Sequence, residues 1–306
     1  MAVPGEIAQL EIRKKEIASR GRRLLAYLAL AAAIFGMAWS ALFVRWAGVP
    51  APASAFYRVL IALLILLPWR VVRGGRTPAR TAMVLAVTGG AFFAFDLLLF
   101  NSAVLRTSAA TAVLLGNNAP IFVGLASWFF FRKRPRLSFW IGLGLALAGC
   151  GVIVLWDASR GSAVRHGDAI GDLFALTAAV FWAGYMVTTE RVRTEMDTLT
   201  FNVVAVTASA LTLLVVCLVM EISLTGYSAQ TWLALLGLAL VSQLASYYAL
   251  VYALGHLPAT ITSVSILSQV PLTALLAAAF LGEPLTSAQI VGGGVVLAGI
   301  YVVTRT

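Results

Sequence analysis

The chain alternates between apolar runs of about twenty residues and short polar connections, the rhythm of membrane-spanning helices. About ten such runs can be read, each long enough to cross a hydrocarbon core of about 30 Å. They are Leu24–Val44, Ala53–Val72, Ala79–Phe100, Ser108–Phe131, Leu137–Trp156, Ala169–Thr189, Leu199–Met220, Gln230–Leu254, Ala259–Leu281 and Leu285–Val303. Two runs carry a polar break at mid-length: Gly116-Asn117-Asn118-Ala119-Pro120 in the fourth and Ser268-Gln269-Val270-Pro271 in the ninth. Proline interrupts the helical hydrogen-bond ladder, and Asn, Ser and Gln supply donors and acceptors there. Within a bilayer such groups are tolerated where they face protein or a watery cavity.

Pro120 and Pro271 lie about half the chain apart, and the likeness between the halves goes further. Ile141-Gly142-Leu143-Gly144 through Ala148-Gly149 parallels Val291-Gly292-Gly293-Gly294 through Ala298-Gly299, and Trp39 in the first run has a counterpart in Trp182 of the sixth. The pattern predicts an all-α integral membrane protein whose ten or so transmembrane helices form two five-helix repeats. An odd number of crossings per repeat gives the second copy inverted topology. The expected organisation is a cytoplasmic amphipathic segment (1–23), a first repeat (24–156), a periplasmic linker (157–168) and a second repeat (169–306). Arg22-Arg23 followed by Leu24–Leu30 imitates a signal peptide, but the apolar run continues to Val44, so an uncleaved first helix is expected.

Composition agrees: 61% of residues are hydrophobic and 11% charged, against roughly half and a quarter in soluble domains. The net charge of +10 would suit a nucleic-acid partner if it formed a surface patch, but here it is segregated between connections. Arg13, Lys14, Lys15, Arg20, Arg22 and Arg23 precede the first run, and Arg70, Arg73, Arg76, Arg80, Arg132, Lys133, Arg134, Arg136, Arg191, Arg193 and Arg305 fall on the same side. Arg45, Arg106, Arg160 and Arg165 fall on the other. That bias places both termini in the cytoplasm of a bacterial-type inner membrane. Cys150 and Cys217 read as small core residues. The zincin, phosphate-loop and nucleophile-elbow motifs are absent, and His166 and His256 sit at connections. No enzymatic centre, cofactor, metal or nucleic-acid partner is expected; the expected partners are the lipid bilayer and a small-molecule substrate, and the expected state is a monomer.

The candidate site residues are polar or aromatic groups deep in the runs. Asn117 and Asn118 could hold a ligand's carboxylate or amino group, or bond backbone freed by Pro120; Ser265, Ser268 and Gln269 are their counterparts near Pro271. Pro120 and Pro271 are hinge candidates. Phe92 and Asp96, four apart on one helix face, map by the repeat onto Gln243 and Tyr247. Asp96 and Arg58 are the acidic and basic groups placed deep in the membrane; they read as a mutually neutralising pair or, for Asp96, a proton-coupling group. Trp39, Phe43, Trp182 and Tyr185 offer aromatic surface for a cavity wall, or core packing. The glycine-rich fifth and tenth runs are expected to let backbones approach closely within one chain.

The doubled five-helix unit, the mid-helix prolines, Trp182 and Phe280-Leu281-Gly282-Glu283-Pro284-Leu285 together resemble the drug/metabolite transporter superfamily, specifically its EamA-type members. The resemblance covers nearly the whole chain after its N-terminal extension. Within that family the chain looks most like the YddG-type exporters of aromatic and other amino acids, in which a tryptophan at the place of Trp182 faces the cavity. It departs at Arg132-Lys133-Arg134-Pro135, where many members carry Gly-Glu. The resemblance implies a secondary transporter exporting neutral amino acids or similar metabolites by alternating access. A broad exporter of drugs or organic cations is the alternative; an intramembrane enzyme lacks its nucleophile and base, and one buried arginine is scant for phosphorylated sugars.

Overall fold

A computed structural model describes residues 4–74, 78–106, 115–132, 134–159, 169–281 and 286–305. These residues are helical with no strands. The helices are α1 (Pro4–Ala38), α2 (Ser40–Ala47), α3 (Ala51–Arg73), α4 (Arg80–Arg106), α5 (Ala119–Phe131), α6 (Leu137–Ser159), α7 (Ala169–Val192), α8 (Thr198–Val219), α9 (Ala229–Gly237), α10 (Ser246–Leu254), α11 (Ala259–Ile266), α12 (Gln269–Leu281) and α13 (Ser287–Thr304), with a π-helical segment, Leu238–Ala245, joining α9 to α10. Eight stretches are long and apolar enough to span a membrane, and the shorter apolar helices Ala119–Phe129 and Leu137–Ile153 occupy the fourth and fifth predicted runs. The front of the fourth run (107–114), the core of the linker (160–168, with Arg160, Arg165 and His166), Arg76, Lys133 and the segment 282–285 lie outside the described residues. The outer surface is apolar: Leu64, Val84, Phe129, Leu211, Leu233 and Val291 are exposed, as suits helices solvated by lipid.

Helix ends follow local chemistry. Gly48 and Gly74, at φ 61° and 64°, end α2 and α3 in backbone that favours glycine. Asp197 caps α8, its Oδ1 accepting from the Leu199 and Thr200 amides at 3.0 and 3.1 Å. Partial burial alone would raise the Asp197 pKa; the Thr200 hydroxyl, the two amides and nearby Arg70 outweigh it and hold the carboxyl below its ordinary value. Thr286 and Gln289 form a capping box at the start of α13. Helix α1 runs unbroken from Pro4 into the first span, and the first break falls at Trp39.

The packing repeats itself across the halves. Helix α4 lies on α7 as α1 lies on α10; α4 lies on α8 as α3 lies on the π segment and α9; and α5 lies on α7 as α1 lies on α12. Three further pairs, α3 with α8, α5 with α11 and α6 with α13, join corresponding helices of the two halves directly. Exchanging the halves maps each pair onto the other or onto itself, as two copies of one unit related by a pseudo-two-fold axis require.

The α6–α13 pair shows how close such contacts come. A Cβ at Gly149 would lie 2.5 Å from the Gly292 carbonyl oxygen, and one at Gly142 2.5 Å from that of Gly299. A Cβ at Gly292 would lie 2.7 Å from the Gly149 oxygen. Backbone cannot yield as a side chain can, so these glycines permit the crossing. Gly144, between them in sequence, faces open space. Gly149→Ala is therefore expected to lower the melting temperature in detergent by an amount corresponding to about 1–3 kcal/mol, while Gly144→Ala leaves it unchanged. Equal effects would show that the seam does not depend on backbone contact.

Candidate functional site

Four helices, two from each repeat, bring one polar and aromatic centre together. Arg58, two turns into α3, is 7% exposed, and its Nε donates to Gln243 Oε1 at 2.9 Å. Its guanidinium stands 5.5 Å from the ring centroid of Tyr247 on α10, a cation–π distance. The Tyr247 ring is 4.8 Å from Phe93 of α4 and 5.9 Å from Trp182 of α7. Trp182 stacks on Tyr185 at 5.4 Å and 21°, and Phe93 closes the group at 5.2 Å from Tyr185. Phe93, Tyr185 and Tyr247 are 1%, 3% and 8% exposed, whereas Trp182 is only partly buried. The stacked and edge-on arrangements are those that aromatic quadrupoles favour.

The placement of Gln243 depends on the π segment. A π turn widens the helix and breaks its side-chain register, and such turns are frequent at functional sites. Here Ser242 Oγ donates to the Gly36 carbonyl at 2.8 Å and Ser246 Oγ to the Val241 carbonyl at 2.6 Å. A Cβ on Gly36 would collide with the Ser246 hydroxyl, so this glycine lets α1 approach the widened turn. Gln243 is thereby 2% exposed with its amide oxygen on Arg58.

Asp96 lies one turn beyond Phe93 on α4 and is partly buried. Among the described residues it makes no hydrogen bond and no ion pair within 4.0 Å. The expected direct Arg58–Asp96 pair is thus not formed: Arg58 is turned onto Gln243 and Tyr247, and it acts on Asp96 only through the longer-range field.

The two proline breaks form a second polar locus. Turns fall at residues 117–118 and 267–268, ahead of Pro120 and Pro271, and α5 packs on α11 beside α7. Asn118 Nδ2 donates to the Leu115 carbonyl at 3.0 Å, Ser265 Oγ to Ile261 at 2.9 Å and Ser268 Oγ to Ser265 at 2.7 Å. These groups therefore serve backbone acceptors around the breaks. Asn117 differs: its Nδ2 is buried with no hydrogen-bond partner among the described residues. Gln269 is partly buried at the start of α12.

Trp182, Tyr185, Gln243, Tyr247, Arg58 and Asp96 thus share one region, and three aromatic candidates do not join their cluster. Phe92 packs 5.8 Å from Phe181 and against Gly184. Trp39 lies 4.8 Å from Phe280 of α12 and 6.1 Å from Phe43, and Phe43 packs on Gly237. The α4 ring in the cluster is Phe93, which the reading of the sequence passed over. Asp96 lies about 40° from Phe92 and about 60° from Phe93 around the helix, so the sequence pattern could not choose between them. Among the described residues no group of three His, Cys, Asp or Glu could hold a metal ion.

The EamA-like transporter family matches residues 24–155 and again 169–305, one match per half. The chain belongs to the EamA-like transporter family. An uncharacterised transporter of Bacillus subtilis strain 168, YwfM, is 32% identical over 210 residues, covering 67% of this chain and 68% of that one. An uncharacterised transporter of Archaeoglobus fulgidus is 27% identical over 257 residues, covering 82% and 86%. A solved protein structure shares the fold with a TM-score of 0.76 at 21% identity, over 92% of this chain and 96% of the other. The protein is accordingly a multi-pass membrane transporter of this family, and the Arg58–Tyr247 region is its candidate binding centre.

The Arg58–Gln243 bond joins the repeats at that centre. Gln243→Leu removes the acceptor from a buried charge and is expected to cost about 1.5–3 kcal/mol, read as a lower melting temperature, whereas Gln243→Glu keeps an acceptor and retains stability. Equal melting temperatures for the leucine variant and the wild type would contradict the assignment.

Proposed function

We propose that this EamA-like protein is a secondary transporter that exports amino acids, aromatic and other neutral ones, or similar small metabolites. It works by alternating access through the centre between its two inverted repeats. The observation that carries the reading is the buried Arg58–Gln243 bond set against Phe93, Trp182, Tyr185 and Tyr247, with Arg58 and Phe93 coming from the first repeat and the other four from the second. Small-molecule sites are mostly apolar with a few convergent polar groups, and transporter sites of this architecture lie at the repeat interface. The breaks at Asn117-Asn118 and Ser268-Gln269 supply hinges, with Pro120 and Pro271 removing ladder bonds where bending is required. The charge bias of the connections orients both termini to the cytoplasm of the inner membrane. The protein acts as a monomer, its glycine seam being consumed within the chain.

A second reading, export of organic cations, draws on Asp96, which has no ion-pair partner within 4.0 Å among the described residues. The field of Arg58 opposes a cationic ligand at the same place, and this favours the first reading.

Uptake of labelled amino acids into proteoliposomes at equal pH on both sides tests the proposal. Saturable uptake of L-phenylalanine or L-tryptophan by the wild type is expected, with Trp182→Ala reducing it about tenfold or reordering the preference among side chains. Uptake of organic cations with none of amino acids would select the second reading. Uptake that appears only with an imposed pH gradient would assign Asp96 to proton coupling.

A further inference from the structure

We infer that Arg58 and Asp96 hold the opposite ends of one zwitterion: the guanidinium takes the carboxylate of an α-amino acid and Asp96 takes its ammonium group. This rests on the amino-acid reading above and deepens it by assigning the two charged groups.

The first observation is an unspent donor set. A guanidinium has five N–H donors in a planar fork matched to carboxylate. Arg58 commits Nε to Gln243 and serves Tyr247 through the ring face and a side-chain hydrogen bond, which leaves part of the five-donor fork unused by these two partners. The residue as a whole is 7% exposed, so little of the fork meets solvent. A charge-assisted fork on a ligand carboxylate would satisfy the unused donors. Gln243 fixes the plane of the fork by holding Nε, and Gln243 is itself held by the π turn. A substrate carboxylate can therefore meet an arginine whose orientation is already set.

The second observation is a gap between opposite charges. Asp96 is one turn from Phe93, whose ring touches Tyr247, and the Arg58 guanidinium lies over Tyr247 on the same cluster. The two charges share a region yet stop short of a 4.0 Å ion pair, and Asp96 accepts no hydrogen bond from the described protein. Had the pair been purely structural, closing that gap would satisfy both groups at once. An α-ammonium and its carboxylate carry opposite charges on neighbouring atoms, and such a dipole spans a gap between two protein charges. The third observation is the aromatic group beside Arg58: Phe93, Trp182, Tyr185 and Tyr247 pack on one another at 4.8–6.3 Å, and Trp182, only partly buried, offers stacking to a large apolar or aromatic side chain.

The test uses the full chain in proteoliposomes and competition against labelled L-phenylalanine. The competitors are unlabelled L-phenylalanine, L-phenylalaninamide (carboxylate masked) and N-acetyl-L-phenylalanine (ammonium masked). In the wild type each masked analogue should compete about tenfold or more weakly than L-phenylalanine. Arg58→Gln should weaken L-phenylalanine about tenfold and leave L-phenylalaninamide unchanged, because only the ligand with a free carboxylate loses a partner. Asp96→Asn should weaken L-phenylalanine and leave N-acetyl-L-phenylalanine unchanged. The wild-type comparison stands even where a variant fails to fold. Masked analogues that compete as well as L-phenylalanine would overturn the clamp and leave amino-acid transport intact. A uniform loss for all three competitors in each variant would overturn it too, showing the residues to be structural. Absence of any L-phenylalanine uptake by the wild type would remove the amino-acid reading and the clamp with it.

Discussion

Arg58 carries a permanent positive charge among helices that otherwise offer it hydrocarbon, and an uncompensated charge in that setting is costly. The surrounding structure is organised around that cost. Gln243 accepts from Nε and Tyr247 presents its ring, with the Asp96 carboxyl one turn beyond Phe93 on α4. Aiming Gln243 takes a π-helical stretch, which takes Ser242 and Ser246 to occupy freed or neighbouring carbonyls, which in turn takes a glycine at position 36 so that α1 can close on them. A chain of dependence thus runs from a buried charge in the first repeat to backbone geometry in the second and back.

The doubled architecture surrounds that centre with contacts that pair across the halves. The repeats touch through paired contacts that exchange with one another, and through three helix pairs on the pseudo-two-fold axis. The α6–α13 pair is pinned by mutual glycine–carbonyl approach. The α5–α11 pair carries the breaks, where Asn118, Ser265 and Ser268 satisfy carbonyls locally. One axial pair is therefore tight, and another carries turns at 117–118 and 267–268, an arrangement suited to rocking one group of helices about a fixed seam.

Much of this was legible in the residues. Apolar runs of about twenty mark spans because only helices satisfy their own backbone in lipid, so the tally of crossings followed from length alone. The glycine spacing of the fifth and tenth runs announced a close crossing, since little else removes Cβ atoms from one face. Trp182, Tyr185, Gln243 and Tyr247 were reachable because pairs three or four apart share a face and the repeat relates Asp96 to Tyr247. The π turn was not legible: Leu238–Ala245 reads as ordinary helix, and the partner it packs on, Gly36, is distant in sequence. Trp39 and Phe43 were drawn toward the centre by repeat symmetry, yet α1 breaks at Trp39 and turns those rings toward Phe280 and Gly237. Depth and charge suggested an Arg58–Asp96 pair, but a neutral acceptor on a third helix took the nearer place.

The central claim is that the Arg58–Trp182 centre is one site reached alternately from the two sides of the membrane. Its most direct test replaces Trp182 by Cys in a chain whose buried Cys150 and Cys217 have become Ala, and labels it with a membrane-impermeant thiol reagent applied to one face at a time. The account predicts labelling from each face, slowed on both by saturating L-phenylalanine. Labelling from one face alone, whatever the substrate concentration, would contradict alternating access at this centre.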